Sequence, residues 1–106
     1  MVTRGDVWLV NLDPSVGSEI RKSRPCVVLS PPELHDHLKT VIIAPMTSQG
    51  FAAPFRVPLK FQGTSGLLVL DKIRSVDKLR LVKKMGNVQA ATLKAALQTM
   101  REMFEI

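Results

Sequence analysis

The sequence is poor in the residues that build disulfides and metal centres. Its single cysteine, Cys26, has no partner for an internal disulfide, and the apolar run around it predicts a buried, unreactive thiol. The two histidines, His35 and His37, lie two positions apart in a predicted short helix, where such neighbours do not share a face. We expect both to be surface residues, and the sequence predicts no metal centre.

Long apolar runs and a leader-like N-terminus are also missing. The apolar stretches fall far below the roughly 20 residues that cross a bilayer. Residues 1–8 include Arg4 and Asp6 instead of the apolar core of a secretory signal. We therefore expect a cytoplasmic protein that does not span a membrane. Its 106 residues are too few for two ordinary domains, so residues 1–106 are predicted to form one domain.

Negative charge is scarce relative to positive charge. Fifteen Lys and Arg stand against nine Asp and Glu, a net charge of +6 that favours anionic partners such as nucleic acid or an acidic protein. The excess is concentrated at Lys72, Arg74, Lys78, Arg80, Lys83 and Lys84, with a second basic cluster at Arg21, Lys22 and Arg24. Charge alone does not separate a binding surface from a solvated one.

Short apolar and β-branched runs, separated by turn residues, predict a fold rich in strands. The runs cover residues 7–12, 25–29, 40–44, 55–59, 66–73 and 79–82, with Pro58 placing the fourth at an edge. Ser30 and Glu33 resemble a capping box, which predicts a short helix through Leu38. A C-terminal helix is predicted from an apolar stripe of Leu93, Ala96, Leu97, Met100 and Phe104. The pattern favours an α+β fold, a small SH3-like, strongly bent antiparallel β-barrel with a C-terminal α-helix.

Two polar segments, residues 17–25 and 44–49, are not explained by packing. One reaction that polar side chains of these kinds can catalyse is metal-free RNA cleavage. It requires a deprotonated 2′-hydroxyl, a stabilised pentacoordinate phosphorus and a protonated leaving oxygen. The planar guanidinium of Arg24 suits the pentacoordinate phosphorus, and Thr47 and Ser48 can donate to the same oxygens. Glu19 can act as the base if it lies against an apolar wall. The alternatives stay open: Arg24 as an exposed loop cation and Thr47 as a hydroxyl that bonds within a turn.

The same segments resemble the MazF/PemK toxin family. RGDVWLV at residues 4–10, LDP at 12–14, GSE at 17–19 and RPCVV at 24–28 are similar, in order, to the opening of these toxins. PMTSQ at residues 45–49, PF at 54–55 and GLLVLDKIRSVD at 66–77 are similar to their second half. The resemblance covers residues 4–104 and implies a CcdB/PemK-like fold, a homodimer, and cleavage of single-stranded RNA to 2′,3′-cyclic phosphate and 5′-hydroxyl ends without a cofactor.

Carried over by position, the resemblance implies catalytic roles for Arg24 and Thr47 and an acidic residue near the site at Glu19. Asp71 matches an aspartate assigned to catalysis in PemK-type members, but those members have arginine where this chain has Val69 and histidine where it has Ser18. A structural role for Asp71 is therefore an equal alternative. The candidate substrate-binding residues are Ser18, Lys22, Ser48, Gln49, Phe51, Asp71, Lys72, Arg74 and Arg80.

Phe51 lies in a loop predicted at residues 48–54. It is either a platform on which a base stacks or a residue of the core or dimer interface. Lys72, Arg74, Lys78 and Arg80 would attract the RNA backbone.

The resemblance also implies a protein partner, an antitoxin with an acidic, extended C-terminal segment that covers the basic groove. Two other functions remain possible. One is a non-catalytic toxin of the same fold that inhibits DNA gyrase, although its activity resides in a tryptophan-containing C-terminus and this chain ends in Met103, Phe104, Glu105 and Ile106. The other is a non-catalytic barrel that binds nucleic acid.

Overall fold

A computed structural model describes residues 1–20 and 22–106, which form a seven-stranded antiparallel sheet followed by a helix; Arg21 of the second basic cluster lies outside the described residues. The strands are β1 Asp6–Asn11, β2 Ser23–Val28, β3 Thr40–Thr47, β4 Arg56–Phe61, β5 Thr64–Val69, β6 Arg74–Asp77 and β7 Leu81–Asn87. The helices are α1 Pro32–His35 and α2 Ala90–Met103, and two 3-10 turns span Leu70–Lys72 and Lys78–Arg80.

Strand β3 organises the sheet because two strands share one of its edges. Its residues 40–43 pair with β6 and its residues 46–47 pair with β5, while β2 lies along the opposite edge. The full order is β4-β5-β3-β2-β1-β7. In the described part of the chain the outer strands β4 and β7 are not paired with each other. The predicted α+β antiparallel fold with a C-terminal helix is confirmed, but the sheet is open and does not close into a barrel.

The single strand predicted over residues 66–73 is wrong. Strand β5 ends at Val69, the chain turns through Leu70–Lys72, and β6 begins at Arg74. The turn is needed because pairing moves from one end of β3 to the other, and it is held by the Leu70 N–H, which donates to the Phe55 carbonyl at 3.1 Å. A strand predicted at residues 79–82 likewise begins with a 3-10 turn and continues into β7.

Both faces of the central strands are buried. Successive side chains of a strand point to opposite faces, so Val27 packs in one apolar cluster and Val28 in another. Helix α2 covers the first cluster with Leu93, Ala96, Leu97 and Met100, as the predicted stripe requires. The stripe ends there, because the helix stops at Met103 and leaves Phe104 67% exposed. The core role predicted for Phe104 is therefore wrong.

His35 is fully buried, so the prediction that it lies at the surface is wrong, whereas His37 is exposed. The Nδ1 atom of His35 lies 3.0 Å from the Ser30 hydroxyl, which also accepts a hydrogen bond from the Ile42 N–H at 3.1 Å. Ser30 therefore ties the short helix to β3 and makes no cap, and α1 has only four residues. The sequence pattern did not reveal this pairing because Ser30 and Ile42 are brought together only by the sheet.

Candidate active site

Arg24 and Thr47 lie at the adjoining ends of two neighbouring strands. Strands β2 and β3 pair antiparallel from Cys26 opposite Pro45, and the same register carried two residues further sets Arg24 opposite Thr47. Both residues line one cavity of about 250 Å³. The structure thus brings together the two residues that the sequence singled out for catalysis.

The cavity has an apolar floor and a polar rim. The floor is formed by Met46, Leu59, Phe61 and Met85, and the rim by Ser48, Gln62, Thr64 and Ser65. Gly66 closes the wall beside Thr47, since an added Cβ there would lie 2.6 Å from the Thr47 carbonyl oxygen. The Thr47 hydroxyl accepts a hydrogen bond from the Gln49 N–H at 3.2 Å, which turns the chain at the end of β3. An apolar floor beside a cation and hydroxyls suits a ligand with a flat ring and a phosphate.

Glu19 lies in a second cavity, of about 270 Å³, which it lines with Asp71, Lys72 and Arg74. Pro45 also lines this second cavity, and strand alternation puts Pro45 on the same face of β3 as Thr47, two residues further along. The Glu19 carboxylate accepts a hydrogen bond from the Val16 N–H at 2.6 Å. Glu19 does not line the cavity that Arg24 and Thr47 share, and its role as general base stays a prediction.

The candidate RNA-binding cations hold the loop between β1 and β2. Lys72 Nζ donates to the Ser18 carbonyl at 2.8 Å, and Arg74 Nη1 donates to the Leu12 carbonyl at 3.3 Å. Arg80 Nη1 donates to the carbonyls of Asn11 and Asp13, at 3.0 and 2.6 Å. These contacts give Lys72, Arg74 and Arg80 a structural role that their charge did not indicate, and phosphate binding by them stays a prediction.

Lys22 also belongs to this loop. Its backbone adopts a φ of +65°, and its N–H donates to the Asp13 carboxylate at 3.0 Å. The side chains of Lys22 and Ser18 are exposed, as are those of Ser48 and Gln49 on the opposing loop. Exposure leaves all four accessible to a ligand without assigning them to one.

Sequence reasoning missed Arg56 in β4. Its Nε and Nη2 donate to the two carboxylate oxygens of Asp71 at 3.0 and 3.1 Å, and its Cζ lies 5.1 Å from the centre of the Phe51 ring. The hydrogen bond from Arg56 holds the pKa of Asp71 below its ordinary value, and the same bond raises the pKa of Arg56. A single arginine in an edge strand is not part of a recognisable motif, so only the structure shows that Arg56 contacts Asp71.

Among residues 1–20 and 22–106, no group of three or more His, Cys, Asp and Glu side chains is placed to hold a metal ion. In the same residues no helix is long and apolar enough to span a bilayer. The site residues that the structure does bring together are a guanidinium and hydroxyls. Such a set can bind a phosphate and stabilise negative charge that develops on its oxygens.

Comparison with known proteins places the chain among bacterial toxins. The family described as PemK-like, MazF-like toxin of type II toxin-antitoxin system matches residues 3–104. Endoribonuclease MazF9 of Mycobacterium tuberculosis is 36% identical over 104 residues, which cover 88% of this chain and 87% of that protein.

Solved structures from Deinococcus radiodurans share the fold. The crystal structure of its MazF has a TM-score of 0.86 and 26% identity, covering 99% of this chain and 97% of the other. Its MazE-MazF structure has a TM-score of 0.82 and 25% identity, with the same coverage of 99% and 97%. The chain therefore belongs to the PemK-like, MazF-like toxin family of type II toxin-antitoxin systems.

Proposed function

We propose that this protein is a sequence-specific, metal-independent endoribonuclease toxin that cleaves single-stranded RNA. The observation that carries the proposal is the meeting of Arg24 and Thr47 at one cavity, in a chain whose relatives are endoribonucleases. A phosphate placed between the ends of β2 and β3 would face the guanidinium from one strand and the hydroxyl from the other. The apolar floor of the same cavity offers room for a neighbouring base.

The reaction is an internal transfer at phosphorus. The RNA 2′-oxygen forms a bond to the phosphorus, the bond from phosphorus to the 5′-oxygen breaks, and the products are a 2′,3′-cyclic phosphate and a 5′-hydroxyl. Arg24 stabilises the charge that develops on the phosphoryl oxygens, because its fork matches two of them at once. Thr47 donates a hydrogen bond to the same group.

The proton leaves the 2′-hydroxyl for a general base and another proton reaches the 5′-oxygen. Glu19 is the candidate for this base, and it lines the cavity beside Pro45, two residues before Thr47 on the same face of β3.

The proposed partners are RNA and a cognate antitoxin. A relative from Deinococcus radiodurans was solved as MazE-MazF, and the net charge of +6 suits an acidic, extended C-terminal segment of an antitoxin as well as RNA. Binding of such a segment over the cavity would block RNA cleavage. We also propose a homodimer acting in the cytoplasm, where its RNA substrates are found.

The test is cleavage of long single-stranded RNA by the purified protein in excess chelator, with mapping of the product ends. Discrete cuts with 2′,3′-cyclic phosphate and 5′-hydroxyl ends are expected. Arg24→Ala should lower the cleavage rate about 100-fold or more, as loss of a transition-state donor does, and Thr47→Ala should also slow it. Arg101→Ala is the matched control, because Arg101 is an exposed arginine that lines neither of the two cavities described above.

Several results would contradict the proposal. Full activity in a folded Arg24→Ala protein would remove Arg24 from the mechanism. RNA that is bound but left uncut across several transcripts would favour a non-catalytic binding module. Inhibition of DNA gyrase without RNA cleavage would favour the gyrase-binding alternative.

A further inference from the structure

Arg56 is fixed on three sides while the aromatic ring against it is open to solvent. Its Nε and Nη2 donate to the two carboxylate oxygens of Asp71, and its Nη1 donates to the Phe51 carbonyl at 3.3 Å. The Arg56 side chain is only 14% exposed, whereas Phe51 is 75% exposed. One face of the Phe51 ring therefore rests on a guanidinium and the other is available to a ligand.

This cluster of Phe51, Arg56 and Asp71 adjoins the proposed catalytic threonine. Gly50 is the link, since an added Cβ there would lie 2.8 Å from Thr47 Cγ2 and 3.9 Å from Arg56 Nη1. Only a glycine fits between Thr47 and Arg56 without displacing a side chain. The ring of Phe51 is thus carried by a loop that starts at the catalytic strand end and is held at its far side by Arg56.

The chemistry of the cluster matches a nucleobase. Bases stack on aromatic side chains in single-stranded RNA recognition, and a cation behind the ring strengthens the arrangement. Asp71 is 37% exposed and keeps its carboxylate ionised beside Arg56, so its oxygens can accept hydrogen bonds from the N–H groups of a base edge. A flat ring with N–H donors is the ligand class that both features accept.

We propose that Phe51, Arg56 and Asp71 form a nucleobase subsite next to the scissile phosphate, in which Phe51 stacks on the base and Arg56 is a positioning residue. The inference rests on the proposed ribonuclease function, and it assigns a role to Arg56, which no motif indicated. It also explains why a large aromatic side chain stays exposed on this loop.

A role in fold stability alone predicts a different outcome. Exposed ion pairs contribute little to stability, and the Asp71 end of this pair reaches solvent. Loss of Arg56 should therefore change RNA selectivity far more than the thermal stability of the protein. The subsite predicts an effect on KM and on the preferred base, which a purely structural ion pair would not produce.

The experiment compares the wild-type protein with Phe51→Ala, Phe51→Trp and Arg56→Gln on RNA oligonucleotides that differ only in the base beside the cut. Phe104→Ala is the matched control, because Phe104 is similarly exposed, at 67%, and lines neither of the two cavities described above. Phe51→Ala is expected to raise KM about tenfold, the loss of one base stack. It should also flatten the preference for the neighbouring base. Phe51→Trp should keep both properties, and Arg56→Gln should lose part of the preference with the Tm nearly unchanged.

A second readout is independent of catalysis. An uncleavable RNA with a 2′-O-methyl group at the cut site and 2-aminopurine beside it should lose fluorescence on binding to the wild-type protein and to Phe104→Ala. Binding to Phe51→Ala should leave the fluorescence unquenched. Wild-type KM, base preference and quenching in both Phe51→Ala and Arg56→Gln would overturn the subsite. Absence of RNA cleavage by the wild-type protein, with 2-aminopurine still quenched, would instead overturn the ribonuclease proposal. If Arg56→Gln does not fold, the two Phe51 variants decide the outcome.

Discussion

Gly66→Ala tests whether the cavity wall positions Thr47. The added Cβ would lie 2.6 Å from the Thr47 carbonyl oxygen, about 0.8 Å short of ordinary contact. This oxygen belongs to the backbone of β3, so the strand must move as a unit. Overpacking of this kind costs about 1–3 kcal/mol. In a chain of this size that corresponds to a Tm lower by about 5–15 °C. A displacement near 1 Å at a catalytic group lowers the rate about 100-fold, so RNA cleavage should fall by a comparable factor.

The matched control is Gly63→Ala in the same hairpin. Gly63 has a φ of +78° and open space around its missing Cβ, so alanine there costs about 1–2 kcal/mol of backbone strain without touching Thr47. Both variants should be less stable, as measured by thermal unfolding. Only Gly66→Ala should lose cleavage when both are assayed well below their Tm values.

Two outcomes would contradict the prediction for Gly66→Ala. Wild-type cleavage by Gly66→Ala, at a temperature where it is folded, would show that the position of Thr47 does not limit the reaction. Equal losses of activity in the two variants would mean that instability, and not displacement of Thr47, causes the effect.

Three other expectations follow from buried groups and loop contacts. Burial raises the pKa of the Cys26 thiol from 9.0 to about 12, outweighing the opposing effect of a nearby arginine, so the folded state retains a proton that the unfolded chain loses at high pH. The free energy of unfolding should therefore fall by about 2 kcal/mol between about pH 8 and about pH 10.5 in denaturant titrations, and Cys26→Val should remove that decrease. Ser30→Ala leaves a buried imidazole and a strand N–H without their shared partner and should lower the free energy of unfolding by about 2–3 kcal/mol, whereas Ser75→Ala at an exposed position should leave it unchanged. Arg80→Gln should speed tryptic cleavage at Lys22, because it removes two hydrogen bonds to the loop; an unchanged cleavage rate would show that these bonds do not hold it.

Local patterns predicted most of the strands because the central strands are buried on both faces. Continuous apolar runs such as residues 25–29 and 40–44 leave few other stable conformations once flanked by turn residues. The pattern failed at residues 66–73, where the apolar run continues through a change of pairing partner along β3. An apolar run indicates that its residues are buried. It does not indicate with which half of β3 they pair.

The candidate site was only partly predictable for a similar reason. Arg24 and Thr47 stand in recognisable segments, and the register of β2 and β3 brings those segments side by side. Glu19 stands in an equally recognisable segment, yet it lines a different cavity from Arg24 and Thr47. Arg56 and His35 had no local signal, because their partners Asp71 and Ser30 meet them through contacts that depend on the folded sheet.

Residue order alone determined the family, the antiparallel α+β architecture and the pair of side chains at the centre of the proposed chemistry. The architecture follows from the spacing of the apolar runs, and the family and the pair of side chains follow from the resemblance of short motifs, all of which are properties of short segments. Tertiary structure alone decided which cations hold a loop, which carboxylate shares a cavity with which partner, and where Arg56 joins an exposed ring to Asp71. The physical reason is that charge and hydrogen-bonding groups act over a few ångströms, and such distances between remote residues exist only after the strands have paired.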